Sequence, residues 1–291
     1  GYKINFLEKT GLTIIKESEN IDRFKGRVIF PIRSMSGRIL GFGGRILGTS
    51  KSLAKYINSP ESLIYQKSKV LYGIYESKQS IVKNDNCFLV EGYTDVIKMH
   101  QCGITNVVAS SGTALTENQI RLINRLTKNI TVVFDGDAAG SRASLRGIDL
   151  ILEQGMNVKI CNLPENEDPD SFVSDKNLKE VETYLFENSK DFIVYKASLL
   201  LGDSQNDPVK KAGVIRDMVE SIAKINDQIK RELYIKECSS IMDISEQVLY
   251  STLAQIIKKD FNNQKKVPVK EFEPISLVKT EKHKEHVDEL Y

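Results

Sequence analysis

Between Cys87 and Leu163 the chain alternates short apolar runs with amphipathic stretches, a pattern that leaves few folds open. Cys87-Phe88-Leu89-Val90, Val107-Val108-Ala109, Ile130-Thr131-Val132-Val133-Phe134 and Val158 to Leu163 read as strands. The intervening stretches read as helices. One runs from Tyr93 to Cys102 and stops at Gly103. A second opens on the capping box Thr116-x-x-Gln119 and reaches about Leu126. A third spans Ala138 to Gln154 and closes at Gly155. Strands that alternate with helices of this length form βαβ units around a parallel sheet, so the chain is expected to be α/β.

The flanking regions differ. Before Lys83, Arg27-Val28-Ile29-Phe30-Pro31-Ile32 and Arg38-Ile39-Leu40-Gly41-Phe42 flank a Ser36-Gly37 turn and predict a hairpin. Gly41-Phe42-Gly43-Gly44-Arg45 follows without the G-K-[ST] of a P-loop. Its glycines are expected to mark special backbone angles, a bulged strand end or the close approach of a ligand. After Pro169 the spacing is helical only. Leu178, Val181 and Leu185 share a face, and Phe192, Tyr195 and Leu199 continue it. Asp207 before Pro208 marks a helix start. From Asn262 the chain turns polar and proline-broken and reads as a linker or tail, in which His283 and His286 are expected to be solvated.

The chain has 291 residues and a formal charge of only +2, but this sum conceals a gradient. Residues 1–83 carry 15 basic and 6 acidic side chains, a net +9; residues 84–170 carry 7 against 12, a net −5; the remainder is −2. A basic first part suits a polyanionic partner. Cysteines 87, 102, 161 and 238 form no C-x-x-C pair, which excludes a zinc ribbon in this chain and predicts reduced thiols. No apolar run reaches the roughly 18 residues of a membrane span, and no basic-then-apolar stretch at the start reads as a signal peptide, so none is expected. No membrane association is expected, and the expected compartment is the cytoplasm. The start at Gly1, without Met, reads as a fragment of a longer protein.

Acidic residues gather where the parallel strands end. Glu91-Gly92 follows the first strand, Asp135-Gly136-Asp137 the third, and Asp168-Pro169-Asp170 lies just past the fourth. Ligands bind at the carboxyl ends of strands in open α/β sheets. Converged there, Glu91, Asp135, Asp137, Asp168 and Asp170 would crowd five carboxylates on one edge. Asp95, one helical turn after Glu91, could join them. Such crowding is costly without cations, and an oxygen-only set suits Mg²⁺ or Mn²⁺. Gly136 is expected to let the backbone bend so that its two flanking aspartates reach one centre. Each aspartate alone is more commonly a turn or N-cap residue; three acidic motifs at successive strand exits are not.

Glu91-Gly92-Tyr93-Thr94-Asp95, Phe134-Asp135-Gly136-Asp137-Ala138-Ala139-Gly140 and Glu167-Asp168-Pro169-Asp170 resemble the Toprim signature of bacterial DNA primases. Phe30-Pro31-Ile32-Arg33, Gly41 to Arg45, Lys55-Tyr56-Ile57-Asn58-Ser59-Pro60-Glu61 and Lys67 to Gly73 resemble that family's basic N-terminal subdomain. The resemblance implies a mixed α/β basic subdomain over 1–83, a Toprim parallel-sheet subdomain over 84–173, a helical bundle over 174–261 and a tail over 262–291. It implies a DNA-dependent RNA polymerase that takes ribonucleoside triphosphates and a single-stranded DNA template and requires Mg²⁺ or Mn²⁺.

By the same resemblance, Glu91 is a metal ligand or proton acceptor. Asp135, Asp137, Asp168 and Asp170 are metal ligands, and Asp95 is a direct or indirect one. Arg45, Lys55, Asn58 and Lys67 belong to the nucleotide and template site. Arg23, Lys25 and Arg27 form a basic ridge, with Lys25 where many relatives have Arg, which keeps the charge but loses the fork. Phe42, Tyr56, Tyr65, Tyr72 and Tyr75 are candidates for base stacking, although most aromatics of such a segment belong to the core. The family's zinc module and helicase-binding domain are not visible in the chain, so binding to the helicase is expected to be lost. Two other readings use the same acids: a metal-dependent nuclease or topoisomerase, and a noncatalytic DNA-binding repair scaffold. A topoisomerase needs a nucleophilic tyrosine, which nothing in the sequence marks. A scaffold has no use for so much carboxylate repulsion.

Overall fold

The structure is a computed structural model that describes residues 2–17, 19–48, 54–112, 114–136, 142–201 and 207–264. Its first part opens with a short helix, α1 (Ile4–Lys9), and a small antiparallel pair, β1 (Thr13–Ile15) and β2 (Asn20–Asp22). The expected hairpin follows as β3 (Arg27–Arg33) and β4 (Ile39–Ile46), and β5 (Tyr56–Asn58) adds a third antiparallel strand. The Ser36-Gly37 turn is closed by Ser34 N–H donating to Arg38 O at 2.9 Å, and Gly37 has a φ of +88°.

The glycines of β4 meet the expectation only in part. None of Gly41, Gly43 and Gly44 has a left-handed φ, and β4 runs straight through them in register with β3. What they admit is aromatic rings. A Cβ on Gly41 would lie 2.9 Å from the Tyr65 ring, on Gly43 2.6 Å from Tyr93, and on Gly44 2.7 Å from Phe24. The register shifts at one edge of the run, where Ile32 pairs with Gly41 but Arg33 with Ile39, so Leu40 is the extra residue and the expected bulge lies just before Gly41.

Helix α2 (Ile74–Asn84) leads into the parallel sheet of β6 (Cys87–Val90), β7 (Val107–Ala109), β8 (Asn129–Phe134) and β9 (Asn157–Asn162). These strands lie in the order β9-β8-β6-β7, every pair parallel. Helices α3 (Tyr93–Cys102), α4 (Glu117–Asn124), α5 (Arg142–Glu153), α6 (Pro169–Ser174) and α7 (Leu178–Asn188) cover its faces. Alternate side chains of one strand serve different cores. Ile130, Val132 and Phe134 pack with Ile81 of α2, Ile120 of α4 and Ile151 of α5. Val133 packs with Val96 of α3, Phe172 of α6 and Leu185 of α7. A parallel sheet buried on both faces is the arrangement that the apolar runs demand.

The expectation of helices alone after Pro169 needs one correction. Ser189–Asp191 forms β10, an antiparallel edge strand on β9, before α8 (Phe192–Leu201). Three polar residues carry no periodicity, and only pairing with an existing sheet makes them a strand. Helices α9 (Pro208–Ala223), α10 (Gln228–Met242) and α11 (Glu246–Gln264) complete the bundle. Asp207 caps α9 by accepting from Val209 N–H at 2.9 Å, and Pro208 occupies the first helical position. Helix α11 passes the expected start of the tail at 262 by three residues, and residues 265–291, with both tail histidines, lie outside the described residues. The bundle shares the core of the sheet's first face through Phe192, Met218, Ile222, Ile235 and Leu249. Lys196, almost fully buried, donates from Nζ to Asp149 Oδ1 of α5 at 2.7 Å and also bonds Ser221 of α9. All four cysteines are free thiols, as expected. Among the described residues no helix is long and apolar enough to cross a membrane.

Candidate active site

The parallel strands deliver their acidic residues to one edge, where backbone hydrogen bonds tie the exits together. Glu91 leaves β6 and accepts at its carbonyl from Ser111 N–H, beyond the end of β7, at 2.9 Å. Asp135 leaves β8, and the next residue, Gly136, donates its N–H to Glu167 O at 2.9 Å. A Cβ on Gly136 would lie 2.1 Å from Pro164 O and 2.8 Å from Glu165 Cα. Gly136 therefore serves by letting the loop after β8 touch the loop after β9, which carries Asp168 and Asp170. Asp137, the second aspartate expected to flank that bend, lies outside the described residues.

Asp168 is an N-cap: its Oδ1 accepts from Ser171 N–H at 2.7 Å at the start of α6. Asp170, in the first turn of α6, lies 3.9 Å from Lys98 Nζ. Asp95 sits in the first turn of α3 and accepts from Gly92 N–H at 2.7 Å. It is buried, and its carboxyl is pushed up to about 6. Burial is the chief cause; the Gly92 N–H opposes it, and the charges of Asp168, Asp170 and Glu91 add to it.

Glu91, Asp95, Asp135, Asp168 and Asp170 all line one cavity of about 420 Å³, and Arg45, Lys55, Asn58 and Lys67 line its other side. The basic wall is built from β4, β5 and the short 3₁₀ turn Lys67–Lys69. Tyr56 on β5 lies between two cations, with the Arg45 guanidinium 5.5 Å and the Lys55 ammonium 5.9 Å from its ring centre. Asn58 joins the walls. Its amide nitrogen donates to the Tyr93 hydroxyl at 2.7 Å and to Ile57 O at 3.1 Å, and its oxygen accepts from Lys67 Nζ at 3.1 Å. Lys67 Nζ also donates to Gly112 O, past the end of β7, at 3.4 Å.

Three residues of the expected basic ridge stand apart from the cavity. Arg27 spends its guanidinium on the carbonyls of Gly44, Ala54 and Lys55, at 3.4, 2.9 and 3.3 Å, and so clamps the β4–β5 connection. Arg23 is half-buried and Lys25 exposed, neither on the cavity wall. Of the aromatic candidates, only Tyr56 lines the cavity. Tyr65 is core, Tyr72 packs edge-on to Phe30 and Tyr93, Phe42 meets Phe24 edge-on, and Tyr75 lies under Lys78 at 4.3 Å. The cavity also holds residues to which the sequence assigned no role: Tyr93, Thr94, Ser111 and Gly112. Ser111 has a φ of +58°, in a region that non-glycine residues seldom occupy and that tends to cluster at functional sites. The run Ser110-Ser111-Gly112 at a strand exit was the available signal for it.

The cavity's acidic wall contains carboxylates and hydroxyls but no His or Cys, a donor set for hard divalent cations. Among the described residues no group of three or more Asp, Glu, His or Cys side chains is placed to hold a metal ion by itself. Mg²⁺ is commonly held by only one or two carboxylates, together with substrate phosphates and water.

Family comparisons agree with this geometry. Residues 1–78 match the N-terminal domain of the DNA primase catalytic core, 88–173 a Toprim-like model, and 204–247 the DnaB-helicase binding domain of primase. The last match corrects the expectation that the helicase-binding part is missing, because helices α9 and α10 fall within it. The bundle's apolar stripes conveyed only a core, so nothing in them marked a partner surface. The DNA primase of Clostridium acetobutylicum is 39% identical over 269 residues, covering 92% of this chain and 44% of that protein. The chain thus spans less than half the length of this relative. A DNA primase domain from Pseudomonas aeruginosa superposes with a TM-score of 0.77 at 33% identity, covering 89% of this chain and 81% of that one. The zinc-binding and RNA polymerase domains of Aquifex aeolicus primase give 0.73 at 31% identity, covering 84% and 59%. A parallel sheet with acids at its strand exits, a basic wall facing them and matches over all three parts of the chain have one common explanation: the chain belongs to the DNA primase family and carries that family's catalytic core.

Proposed function

We propose that this chain polymerises ribonucleotides into short RNA primers on a single-stranded DNA template. The observation that carries the proposal is the cavity itself, in which five carboxylates face Arg45, Lys55, Asn58 and Lys67. The likeness to the zinc-binding and RNA polymerase domains of the Aquifex primase supports the reading. Glu91, Asp135, Asp168 and Asp170 would hold Mg²⁺ or Mn²⁺, with Asp95 as a direct or indirect ligand and Asp137 as a further one. When bound, such ions neutralise triphosphate charge and lower the pKa of an attacking hydroxyl.

The chain's own residues divide the remaining work. Lys67 and Arg45 bring cationic donors to the phosphates. Tyr56 offers an aromatic face to a base, and Lys55 adds charge along the template's backbone. Glu91, exposed at the mouth, would serve either as a metal ligand or, in place of that role, as acceptor of the proton of the attacking 3′-hydroxyl. The basic part over 1–83 would thus meet phosphates, base and template, and the acidic part over 84–173 the ions and the attacking hydroxyl.

Incubation with single-stranded DNA, the four ribonucleoside triphosphates and Mg²⁺ tests the reading. New oligoribonucleotides support it. Shortened or relaxed DNA with no RNA product replaces it with the nuclease or topoisomerase reading, and DNA binding without either product replaces it with the scaffold. Over residues 204–247 we propose contact with a replicative helicase. Ile229 and Leu233 stand exposed one turn apart on α10, a pair that a helical partner would cover. Co-sedimentation with the helicase, abolished in the Ile229→Asp and Leu233→Asp variants, checks this. The zinc module remains an expectation for the parts of the protein that this chain does not span.

A further inference from the structure

Tyr93 begins α3 two residues after Glu91, yet its side chain leaves the acidic wall and runs into the basic one. Its ring is 3% exposed, stacked on Phe30 at 5.1 Å with an interplanar angle of 9° and met edge-on by Tyr72 at 4.8 Å. The slot for the ring exists because Gly43 has no side chain: a Cβ there would sit 2.6 Å from Tyr93 Cζ and 2.9 Å from its hydroxyl oxygen. The hydroxyl emerges 2.7 Å from the Asn58 amide nitrogen, and the Asn58 oxygen lies 3.1 Å from Lys67 Nζ.

Each link in this series restrains the next. A lysine ammonium rides on a flexible stem with three rotatable donors, so it reaches a fixed place only when acceptors hold it. An asparagine amide can present either end to a neighbour; Ile57 O, which only accepts, and Lys67, which only donates, set which end faces which, and the Tyr93 hydroxyl accepts from the same nitrogen as Ile57 O. Tyr93 holds that nitrogen in place from a ring that Phe30, Tyr72 and the close approach to Gly43 enclose. Tyr93 also follows Glu91-Gly92 directly, so the link sets the spacing between the carboxylates and the ammonium.

We propose that Tyr93 is a positioning residue whose buried hydroxyl orients the Asn58 amide and, through it, the Lys67 ammonium toward the phosphates of an incoming nucleotide. The proposal rests on the nucleotide-binding part of the reading above. Its test is Tyr93→Phe, which keeps the ring and removes the hydroxyl, with ATP and Mg²⁺ as the binding probe. ATP binding should weaken about fivefold, as for one net hydrogen bond, and KM for nucleotide should rise with it while kcat stays within about twofold. In a Lys67→Ala background the same substitution should add nothing, since the group it positions is gone.

Should Tyr93→Phe fail to fold, Asn58→Ala cuts the same link from the other end and carries the same expectation. Unchanged ATP binding in a folded variant overturns the proposal, as does an equal loss with and without Lys67, which would reduce Tyr93 to packing. If the chain makes no RNA but the non-additive loss of ATP binding persists, the positioning role stands and the polymerase reading falls.

Discussion

On the acidic wall of the cavity the carboxylates stand at or just past the ends of parallel strands, where backbone N–H groups hold two of them and tie the loops that carry others. Asp95 accepts from Gly92 N–H, Asp168 caps α6, and Gly136 N–H ties the Asp135 loop to Glu167. On the basic wall the cations sit on or beside an antiparallel sheet and on a 3₁₀ turn, and side chains hold them in large part: Arg45 and Lys55 meet the Tyr56 ring, and Lys67 meets Asn58 as well as Gly112 O. The difference suits what each wall is proposed to do. Carboxylates that share cations need fixed origins, and backbone N–H groups give these at a small cost in entropy. Cations that meet a mobile polyanion need reach, which long side chains resting on rings retain.

The strongest way to break this contrast is to remove charge from the rigid wall. Asp135→Ala and Glu91→Gln should each lower primer synthesis by at least about 100-fold, because the first discards a proposed ligand and the second its charge. Thermal unfolding should stay near that of the parent, since both residues stand at strand exits outside the core. Near-normal turnover in either variant would remove it from the proposed metal site.

The rigidity itself is testable at Gly136. An added methyl must displace Pro164 O, only 2.1 Å from where the Cβ would lie, and so separate the loops that carry Asp135 and Asp168. Gly136→Ala should destabilise the fold by about 2 kcal/mol, a fall in Tm of about 6 °C, with a larger fractional loss of synthesis than the lost stability explains. An unshifted Tm would show that the two loops are not locked together.

For the flexible wall the expected effect is smaller and salt-dependent. Arg45→Ala and Lys55→Ala should weaken binding of single-stranded DNA and reduce the slope of log K against log salt by about 0.7 for each phosphate that the variant no longer neutralises. Arg27→Ala gives the internal comparison. Its guanidinium already serves three carbonyls, so that substitution should lower stability and leave the salt slope as it was.

The two walls also differ in how far the sequence alone reveals them. The acidic wall is legible because it is local: an apolar run buried on both faces announces a parallel strand, and the residue after it must lie at the strand's exit. Glu91, Asp135, Asp168 and Asp170 require no knowledge of distant partners. The basic wall depends on pairing between segments far apart in the chain. Arg27 and Arg45 look alike in sequence, and only the β4–β5 connection makes one a clamp and the other a cavity residue. The β4 glycines are visible, but their reason is not, because it lies in the rings of Phe24, Tyr65 and Tyr93 that press against them. Strand β10 is hidden for the same cause, being three polar residues ordered by β9 alone.

The mildest expected effect concerns the support behind both walls. His100, in the last turn of α3, meets Ser77 Oγ of α2 through Nε2 at 3.1 Å, and Ser77 Oγ donates to Val107 O of β7 at 2.7 Å. The bond joins the helix that follows Glu91 to the one that leaves the basic wall. Burial holds the His100 imidazole below its ordinary pKa of 6.5, against the smaller opposing pull of Glu76. A histidine with a depressed folded pKa takes up its proton more readily in the unfolded chain, so its contribution to stability is complete above pH 6.5 and declines as pH falls below it. Tm measured from about pH 7.5 to 5.5 should therefore fall more steeply for the parent than for His100→Gln, which cannot titrate. Parallel curves for the two proteins would place the acid sensitivity elsewhere.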